Sequence, residues 1–138
     1  MKKTILVDMS ATLIHHGHIR LLKKAHKLGK VIVALTSDEE ILKYKGYHPE
    51  LKYENRKEIL ESIIYVDRVI KSPWLINQKF FKDSGADLLI HGDDNSNEID
   101  SKKLILFERT KGISSSLIRS RVARTILMKA GLDFKLEI

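Results

Sequence analysis

The chain has no cysteine among its 138 residues, so disulfide bonds and cysteine-ligated metal sites are excluded. Its apolar runs are all shorter than the ~20 residues that a membrane-spanning helix needs. The N-terminus lacks the apolar region and cleavage site of a signal peptide, and the chain has neither internal repeats nor low-complexity segments. These absences predict a cytoplasmic globular protein with no membrane segment, and the length predicts one domain over residues 1–138.

The formal net charge of +7 favours anionic partners, which include nucleotides, phosphorylated metabolites, nucleic acid and membrane surfaces. The charge alone does not choose among these classes. Aromatic residues are few and are not interleaved with basic residues, as single-stranded nucleic-acid binding would require. We therefore expect small phosphorylated ligands, with no nucleic-acid partner and no membrane partner.

Short β-branched runs alternate with segments of helical periodicity. Strands are predicted at residues 4–7, 31–35, 66–70, 87–90 and 104–107. Helices are predicted at residues 18–28, 36–46, 55–65, 77–84 and about 114–124, with Gly29 capping the first. This order predicts an α/β fold: a single Rossmann-like domain with an open, mostly parallel five-stranded sheet and helices on both faces. Ligands bind such sheets beyond the carboxyl ends of the strands, where the strand order reverses.

The first candidate site is the sequence His15-His16-Gly17-His18, between the first strand and the first helix. A helix N-terminus attracts phosphate through its unpaired N–H groups and its positive dipole end, and Gly17 lets a ligand approach the backbone closely. His15 and His18, at positions i and i+3, share one face and can donate hydrogen bonds to phosphoryl oxygens. The alternatives are a surface histidine cluster without function, and a metal site, for which no third ligand lies nearby in sequence.

A second candidate site spans residues 109–119, where a strand ends, Gly112 turns the chain and three serines open a helix. Serine is a favoured N-cap, so capping alone is one interpretation. Three serines flanked by Arg109, Lys111 and Arg119 exceed what a cap requires, and their hydroxyl, amide and cationic groups suit phosphate oxygens.

Two weaker patterns accompany these. The sequence His91-Gly92-Asp93-Asp94 follows a buried strand, where turn chemistry alone explains glycine and aspartate but the position at a strand's carboxyl end favours a ligand site. A basic middle segment contains Lys43, Lys45, Lys52 and Arg56. It fits either a mobile loop that closes over phosphates or a solvated helix face, and the second interpretation is preferred for Lys52.

Together these segments resemble the nucleotidyltransferase superfamily, and most closely the cytidylyltransferases of the glycerol-3-phosphate and ethanolamine-phosphate type. The matching segments are residues 15–18, 53–57, 92–94 and 109–116, within a resemblance that spans roughly residues 4–121. The sequence of residues 9–15, Met-Ser-Ala-Thr-Leu-Ile-His, resembles the corresponding segment of a subgroup linked to phosphonate metabolism. Four motifs in the right order and spacing are far more specific than any one of them.

The resemblance implies transfer of CMP from CTP to a small phosphorylated or phosphonate acceptor, with release of pyrophosphate. It implies catalytic roles for His15, His18 and Arg109 at the α-phosphorus. It implies nucleotide binding by Met9, Ser10, Thr12, Gly17, His91, Gly92, Asp93, Asp94, Arg109, Thr110, Gly112, Ile113, Ser114, Ser115 and Ser116. Contacts to the acceptor or to pyrophosphate are implied for Lys43, Lys45 and Arg56.

The resemblance also implies a homodimer and a Mg²⁺ ion bound through the triphosphate, with no side chain assigned as a metal ligand. One departure stands out: Thr12 occupies the position of the family's aspartate, and Asp8 is a candidate to compensate for the lost charge. Two alternatives stay open, an adenylyltransferase of the same fold and a nucleotide-binding or nucleic-acid-binding protein that has lost catalysis. Thr12 and the positive charge support the latter.

Overall fold

A computed structural model describes residues 2–92 and 96–132 of the chain. Within these ranges, five strands alternate with five α-helices and one short 3-10 helix. In chain order the elements are β1 (Lys3–Met9), α1 (His16–Leu28), β2 (Gly29–Thr36), α2 (Asp38–Lys45), α3 (Tyr53–Glu61), β3 (Arg68–Ser72), α4 (Gln78–Ser84), β4 (Leu88–Gly92), the 3-10 helix (Ser101–Lys103), β5 (Leu104–Phe107) and α5 (Ser115–Lys129).

The five strands form one sheet in the order β3-β2-β1-β4-β5, and every neighbouring pair among these described strands is parallel. The predicted Rossmann-like α/β fold is confirmed, and its sheet is parallel throughout. The strand order reverses between β1 and β4, where Val7 pairs with Ile90. The carboxyl ends of these two strands therefore open the crevice in which such sheets bind ligands.

The sheet is parallel and buried because its central strands are apolar on both faces. On one face Val7 and Val33 pack with Leu22 of α1 and Leu60 of α3. On the other face Leu6, Ile32 and Leu89 pack with Phe81 of α4. Each fully buried aliphatic side chain contributes about 1.5–3 kcal/mol, so helices are held on both faces, as predicted.

Gly29 is needed for a different reason from the one predicted. Its backbone is extended (φ 165°) rather than left-handed, and β2 begins on it. A Cβ atom there would lie 2.0 Å from the carbonyl oxygen of Lys3, its partner on β1. The glycine therefore permits close approach of two strands and does not form a left-handed helix cap.

Helix α3 begins and ends earlier than predicted. The Asp38 carboxylate accepts a hydrogen bond from the Tyr53 N–H at 3.0 Å, which satisfies a first-turn donor and fixes the start of the helix at Tyr53. At the other end, the Ser62 hydroxyl donates to the Ile59 carbonyl at 2.7 Å. This side-chain bond occupies a carbonyl of the last turn and helps to end the helix there. No helix in the described ranges is long and apolar enough to cross a membrane.

Candidate functional site

A cavity of about 390 Å³ lies over the carboxyl ends of the strands. The segments that follow β1, β4 and β5 form its walls, with further residues from α1, from the connection between α2 and α3, and from the connection after β3. The predicted crevice is therefore a real cavity, and the first two candidate sites meet in it.

His15 and His18 shape the start of α1 through reciprocal hydrogen bonds. Nδ1 of His15 accepts from the Gly17 N–H at 3.1 Å, and Nδ1 of His18 accepts from the His15 N–H at 3.1 Å. The rings lie 4.0 Å apart between centroids. This is the arrangement of a capping box, in which imidazoles replace the usual serine and glutamate.

The capping bonds fix the protons of the two imidazoles. Because each Nδ1 accepts from a backbone N–H, the proton of each neutral ring lies on Nε2. Burial lowers the pKa of His18 to about 3, and electrostatic repulsion of an imidazolium by Arg109, and by His15 when it is protonated, lowers it further. Burial also lowers the pKa of His15, together with His16 and Arg109. Both side chains are therefore neutral Nε2–H donors at neutral pH.

Gly17 lies where the start of α1 comes close to Ile113, in the segment that precedes α5. A Cβ atom at this position would lie 2.8 Å from Cε1 of His15 and 3.4 Å from Cγ2 of Ile113. Any larger residue would therefore displace the His15 ring from its capping position. The turn before it is also constrained, since Ala11 is buried and has a φ of 45°, in the left-handed region that favours glycine.

The three serines at the start of α5 have different roles. The Ser114 hydroxyl accepts from the Leu117 N–H at 3.1 Å and is the N-cap, as the capping interpretation expected. The Ser115 hydroxyl donates to the Leu13 carbonyl at 3.0 Å and joins α5 to the β1–α1 loop. Ser116 lines the cavity beside them.

The two helix starts that face the cavity keep their positive dipole ends. Neither α1 nor α5 has an acidic residue in its first turn, whereas α2 has three, Asp38, Glu39 and Glu40. An acidic first turn would neutralise the helix terminus. The site is therefore electrostatically suited to a polyanion.

A buried polar network lies on the floor of the cavity, where β1 and β4 end. Oδ1 of Asp8 lies 2.5 Å from Nδ1 of His91, and Oδ2 of Asp8 accepts from the Asn97 amide at 2.8 Å. The Asn97 carbonyl oxygen accepts from the Ile76 N–H at 2.7 Å. Both Asp8 oxygens are engaged, and Asp8 thereby orients His91 and Asn97.

Thr12 has a cationic partner. It is buried, and its hydroxyl oxygen accepts from Nη2 of Arg119 at 2.6 Å. Thr12 therefore belongs to a hydrogen-bonded wall of the cavity rather than to an acidic cluster. Within residues 2–92 and 96–132, no three histidine, aspartate or glutamate side chains are grouped so as to hold a metal ion.

The expected ligand contact of Arg56 disagrees with the structure, because its side chain is fully buried and four of its five N–H groups donate within the protein. Nη1 donates to the carbonyls of Ser10 at 2.6 Å and Thr36 at 3.0 Å. Nε donates to the Leu51 carbonyl at 3.0 Å, and Nη2 forms an ion pair with Asp38 at 2.6 Å. Arg56 fixes the cavity loops instead of contacting a ligand.

Most of the other predicted residues line the cavity: Met9, Ser10, Thr12, His15, Gly17, His18, Lys45, His91, Gly92, Arg109, Thr110, Ile113, Ser114, Ser115 and Ser116. Among the described residues, Lys43 and Gly112 lie outside its lining. The ammonium of Lys43 lies 5.2 Å from the centroid of the Tyr44 ring, and Gly112 has a φ of 79° in the turn before α5. Asp93 and Asp94 lie outside the described residues.

Several lining residues were not predicted: Arg20, Lys24, Tyr47, Leu75, Asn97 and Phe107. Arg119, which was named among the cations of the second candidate site, also lines the cavity. Arg20 and Lys24 are one turn apart on α1, and Lys24 Nζ lies 5.4 Å from the centroid of the Phe107 ring. The i, i+4 spacing of two cations after the histidines was a usable signal. The sequence contains no comparable signal for Tyr47, Asn97 and Phe107, because their positions depend on contacts with residues distant in the sequence.

Comparison with known proteins agrees with this geometry. The family model described as cytidylyltransferase-like matches residues 10–121. The glycerol-3-phosphate cytidylyltransferase of Bacillus subtilis (strain 168) is 38% identical over 131 residues, which cover 89% of this chain and 98% of the relative. The FAD synthase of Thermococcus kodakarensis is 33% identical over 120 residues, which cover 86% of this chain and 79% of the relative.

Among solved structures, the lipopolysaccharide core biosynthesis protein from Thermoplasma volcanium GSS1 is similar with a TM-score of 0.67. The similarity covers 79% of this chain and 98% of that chain, at 20% sequence identity. At this identity the likeness concerns the fold alone, and it agrees with the parallel sheet described above.

Proposed function

Because the chain belongs to the cytidylyltransferase-like family and is a nucleotidyltransferase, we propose that it transfers CMP from CTP to a small acceptor carrying a phosphate or phosphonate group. The observation that carries this proposal is the meeting of two helix N-termini at Gly17, with His15 and His18 on one side and residues 113–116 on the other. Both lack acidic first turns, so together they form a site for a triphosphate.

The proposed reaction is an in-line displacement at the α-phosphorus of CTP. An oxygen of the acceptor's phosphate or phosphonate forms the new bond to that phosphorus. The bond from the phosphorus to the oxygen bridging the β-phosphate breaks, and pyrophosphate leaves with the electron pair. A phosphate monoester is largely ionised at neutral pH, so no general base is needed. The protein contributes positioning and charge stabilisation.

His15 and His18 are suited to stabilising the charge that develops during the reaction. Their Nε2–H groups donate hydrogen bonds to α-phosphoryl oxygens as negative charge builds on them, and Arg109 supplies positive charge in the same cavity. The rings are held by the backbone before the substrate arrives, so little reorganisation is needed during the reaction. Arg109, Thr110 and Ser116 are the proposed contacts to the rest of the nucleotide.

Among the residues that the structure describes, the site fits magnesium as an ion that the nucleotide would hold. The described residues present no acidic cluster, Thr12 is neutral, and both oxygens of Asp8 are already hydrogen-bonded. When bound to triphosphate oxygens, Mg²⁺ neutralises charge and keeps much of its water shell. The chain's own part is to bind the nucleotide and orient its α-phosphate.

A second candidate function is adenylyl transfer by the same site with ATP. The similarity to the FAD synthase of Thermococcus kodakarensis favours it, because FAD contains an adenylyl group. The similarity to a glycerol-3-phosphate cytidylyltransferase covers nearly all of that relative at higher identity, and for this reason CTP is the preferred nucleotide.

The test is a pyrophosphate-release assay with Mg²⁺ and either CTP or ATP. The acceptor panel contains glycerol-3-phosphate, ethanolamine phosphate and 2-aminoethylphosphonate. We expect release with CTP and at least one acceptor, and no release without an acceptor. Release with ATP only would support the second candidate. CTP binding without release for any acceptor would favour a protein that has lost catalysis.

A further inference from the structure

A carboxylate from outside the cavity lining occupies one of the cations that line it. Oε1 of Glu50 accepts from Nη2 of Arg119 at 2.8 Å, and Oε2 accepts from Nε of the same guanidinium. Arginine holds phosphoryl oxygens through the same planar fork of parallel N–H donors. Glu50 therefore makes with Arg119 the kind of contact that a phosphoryl group makes with an arginine.

The Glu50–Arg119 pair joins two walls of the cavity. Arg119 lies on α5, and its Nη2 also donates to Thr12 Oγ1 at 2.6 Å. Glu50 lies in the connection between α2 and α3, residues 46–52, together with Tyr47. The centroid of the Tyr47 ring lies 4.5 Å from the guanidinium carbon of Arg119, and both residues line the cavity. The ion pair therefore draws the connection against α5 at the edge of the site.

The connection is anchored at its two ends. At one end Gly46 caps α2 with a φ of 78°, and its N–H donates to a carbonyl of that helix at 3.0 Å. At the other end the Leu51 carbonyl accepts from Nε of the buried Arg56 at 3.0 Å. Between these points, no backbone N–H of residues 47–51 donates to a backbone carbonyl within the part of the chain that the structure describes. Side-chain contacts such as that of Glu50 therefore decide how closely the connection lies against α5.

The pair also reduces the positive charge that the cavity offers to an anion. Among the described lining residues, the cationic side chains are Arg20, Lys24, Lys45, Arg109 and Arg119. The hydrogen bond from Arg119 lowers the pKa of Glu50, so its carboxylate is charged at neutral pH. The side chains of Glu50 and Arg119 are 38% and 25% exposed, so water screens the pair. An anion with more charge than one carboxylate is therefore able to replace Glu50.

We propose that Glu50 is an autoinhibitory carboxylate, which holds the connection of residues 46–52 against α5 by occupying Arg119 until a polyphosphate displaces it. A nucleoside triphosphate carries the charge that this displacement needs, and inorganic triphosphate shares it. Binding of the polyphosphate releases Glu50, and the connection is then free to move away from α5. This inference concerns the regulation of the same site and rests on the proposed function, because it takes the bound anion to be a triphosphate.

The test measures the Kd of inorganic triphosphate and of CTP by calorimetry on the whole chain, with no acceptor present. Glu50→Gln removes the competing charge while keeping the size of the side chain, and we expect it to lower both Kd values ~3-fold or more. The matched control is Glu54→Gln, at an exposed glutamate in the first turn of α3 that lies outside the cavity lining. The control should change each Kd by less than about twofold.

Amide hydrogen exchange separates the contact from simple charge repulsion. In the ligand-free protein, residues 47–51 should exchange faster in Glu50→Gln than in the wild type, and Glu54→Gln should match the wild type. Unchanged exchange in Glu50→Gln would overturn the inference, because the carboxylate would then not hold the connection. An unchanged or higher triphosphate Kd in this variant would also overturn it, as would a wild type that binds no triphosphate.

The proposed function fails by a different result. A wild type that binds triphosphate but releases no pyrophosphate with any acceptor would remove nucleotidyl transfer, and the Kd comparison would still decide the role of Glu50. A wild type that releases pyrophosphate, with equal Kd values in Glu50→Gln, would remove this inference alone.

Discussion

Among single residues, His15 and His18 show how one pair of side chains serves both the fold and the site. Their Nδ1 atoms cap the first turn of α1, and this same bonding commits their Nε2–H groups to the cavity. The pair therefore needs neither a carboxylate partner nor a protonated state to act as donors. Of the two, His18 has the more strongly lowered pKa, so substitutions there are the more informative test.

His18→Ala should reduce turnover by ~10²-fold or more, because a donor to the developing charge is lost. His18→Gln is the informative companion, since glutamine at the third helical position can keep the capping bond to the His15 N–H. We expect it to fold like the wild type and still to be severely impaired in pyrophosphate release. The exposed His16 provides the matched control, His16→Gln, which should be nearly as active as the wild type. Unchanged turnover in His18→Ala would show that the histidine assignment is wrong.

The perturbed histidines also predict how stability depends on pH. An unfolded chain protonates its histidines near pH 6.5, whereas folded His18 stays neutral to about pH 3. The unfolded state thus binds more protons between these values, and the free energy of unfolding falls as the pH drops through this window. Melting temperatures measured from about pH 7.5 to about pH 4.5 should fall less in His18→Gln than in the wild type. Equal slopes for the two proteins would contradict a neutral, partly buried His18.

Contacts between residues that are close in the sequence could be predicted, whereas contacts between residues far apart in the sequence could not. His15 and His18 are three residues apart, so their spacing alone made them a candidate pair, and the family resemblance supplied the catalytic role expected of them. The Asp8–His91 contact joins positions 83 apart, and the Thr12–Arg119 contact joins positions 107 apart. No local pattern predicts which of many polar residues such contacts will select. Arg56 was misassigned for the same reason, because its burial depends on acceptors at Ser10, Thr36 and Asp38, which lie 46, 20 and 18 residues away in the sequence.

At the scale of elements, the loops after β1 and β2 are joined below the cavity by Arg56. Its guanidinium connects Ser10, Thr36 and Leu51, and Asp38 supplies the countercharge. The element pattern itself was readable from sequence, because β-branched runs and helical periodicity are local properties. Helix ends were less predictable, since α3 is fixed by a capping contact from Asp38, on another helix.

Arg56→Met should destabilise the fold by about 3–5 kcal/mol, because Asp38 loses its charge partner and buried carbonyls lose their donors. Urea denaturation measures this loss directly. Lys52→Met, at the exposed residue before α3, should change the free energy of unfolding by less than about 0.5 kcal/mol. A stable Arg56→Met variant with a raised substrate KM would restore the ligand-contact role that the structure argues against.

On the scale of the whole molecule, α5 presents exposed apolar side chains among the residues that the structure describes. Val122 and Ile126 lie one turn apart on it and are 52% and 61% exposed. We predict that this helix takes part in a homodimer, which light scattering after size-exclusion chromatography should detect at micromolar concentrations. Replacing both residues by glutamate should give a monomer, because charge repels across a two-fold apolar contact. A monomeric wild type would refute the prediction.

The whole molecule is organised around the reversal of strand order between β1 and β4, which brings the starts of α1 and α5 to one cavity. The central claim is that this cavity transfers a nucleotidyl group to a phosphoryl acceptor. Phosphorus NMR of the protein with CTP, Mg²⁺ and glycerol-3-phosphate or 2-aminoethylphosphonate tests it most directly. We expect pyrophosphate together with two coupled resonances from a new P–O–P linkage, both of which should form ~10²-fold or more slowly with His18→Ala. Persistence of CTP and acceptor unchanged with both acceptors, or formation of CMP without the coupled pair, would contradict it.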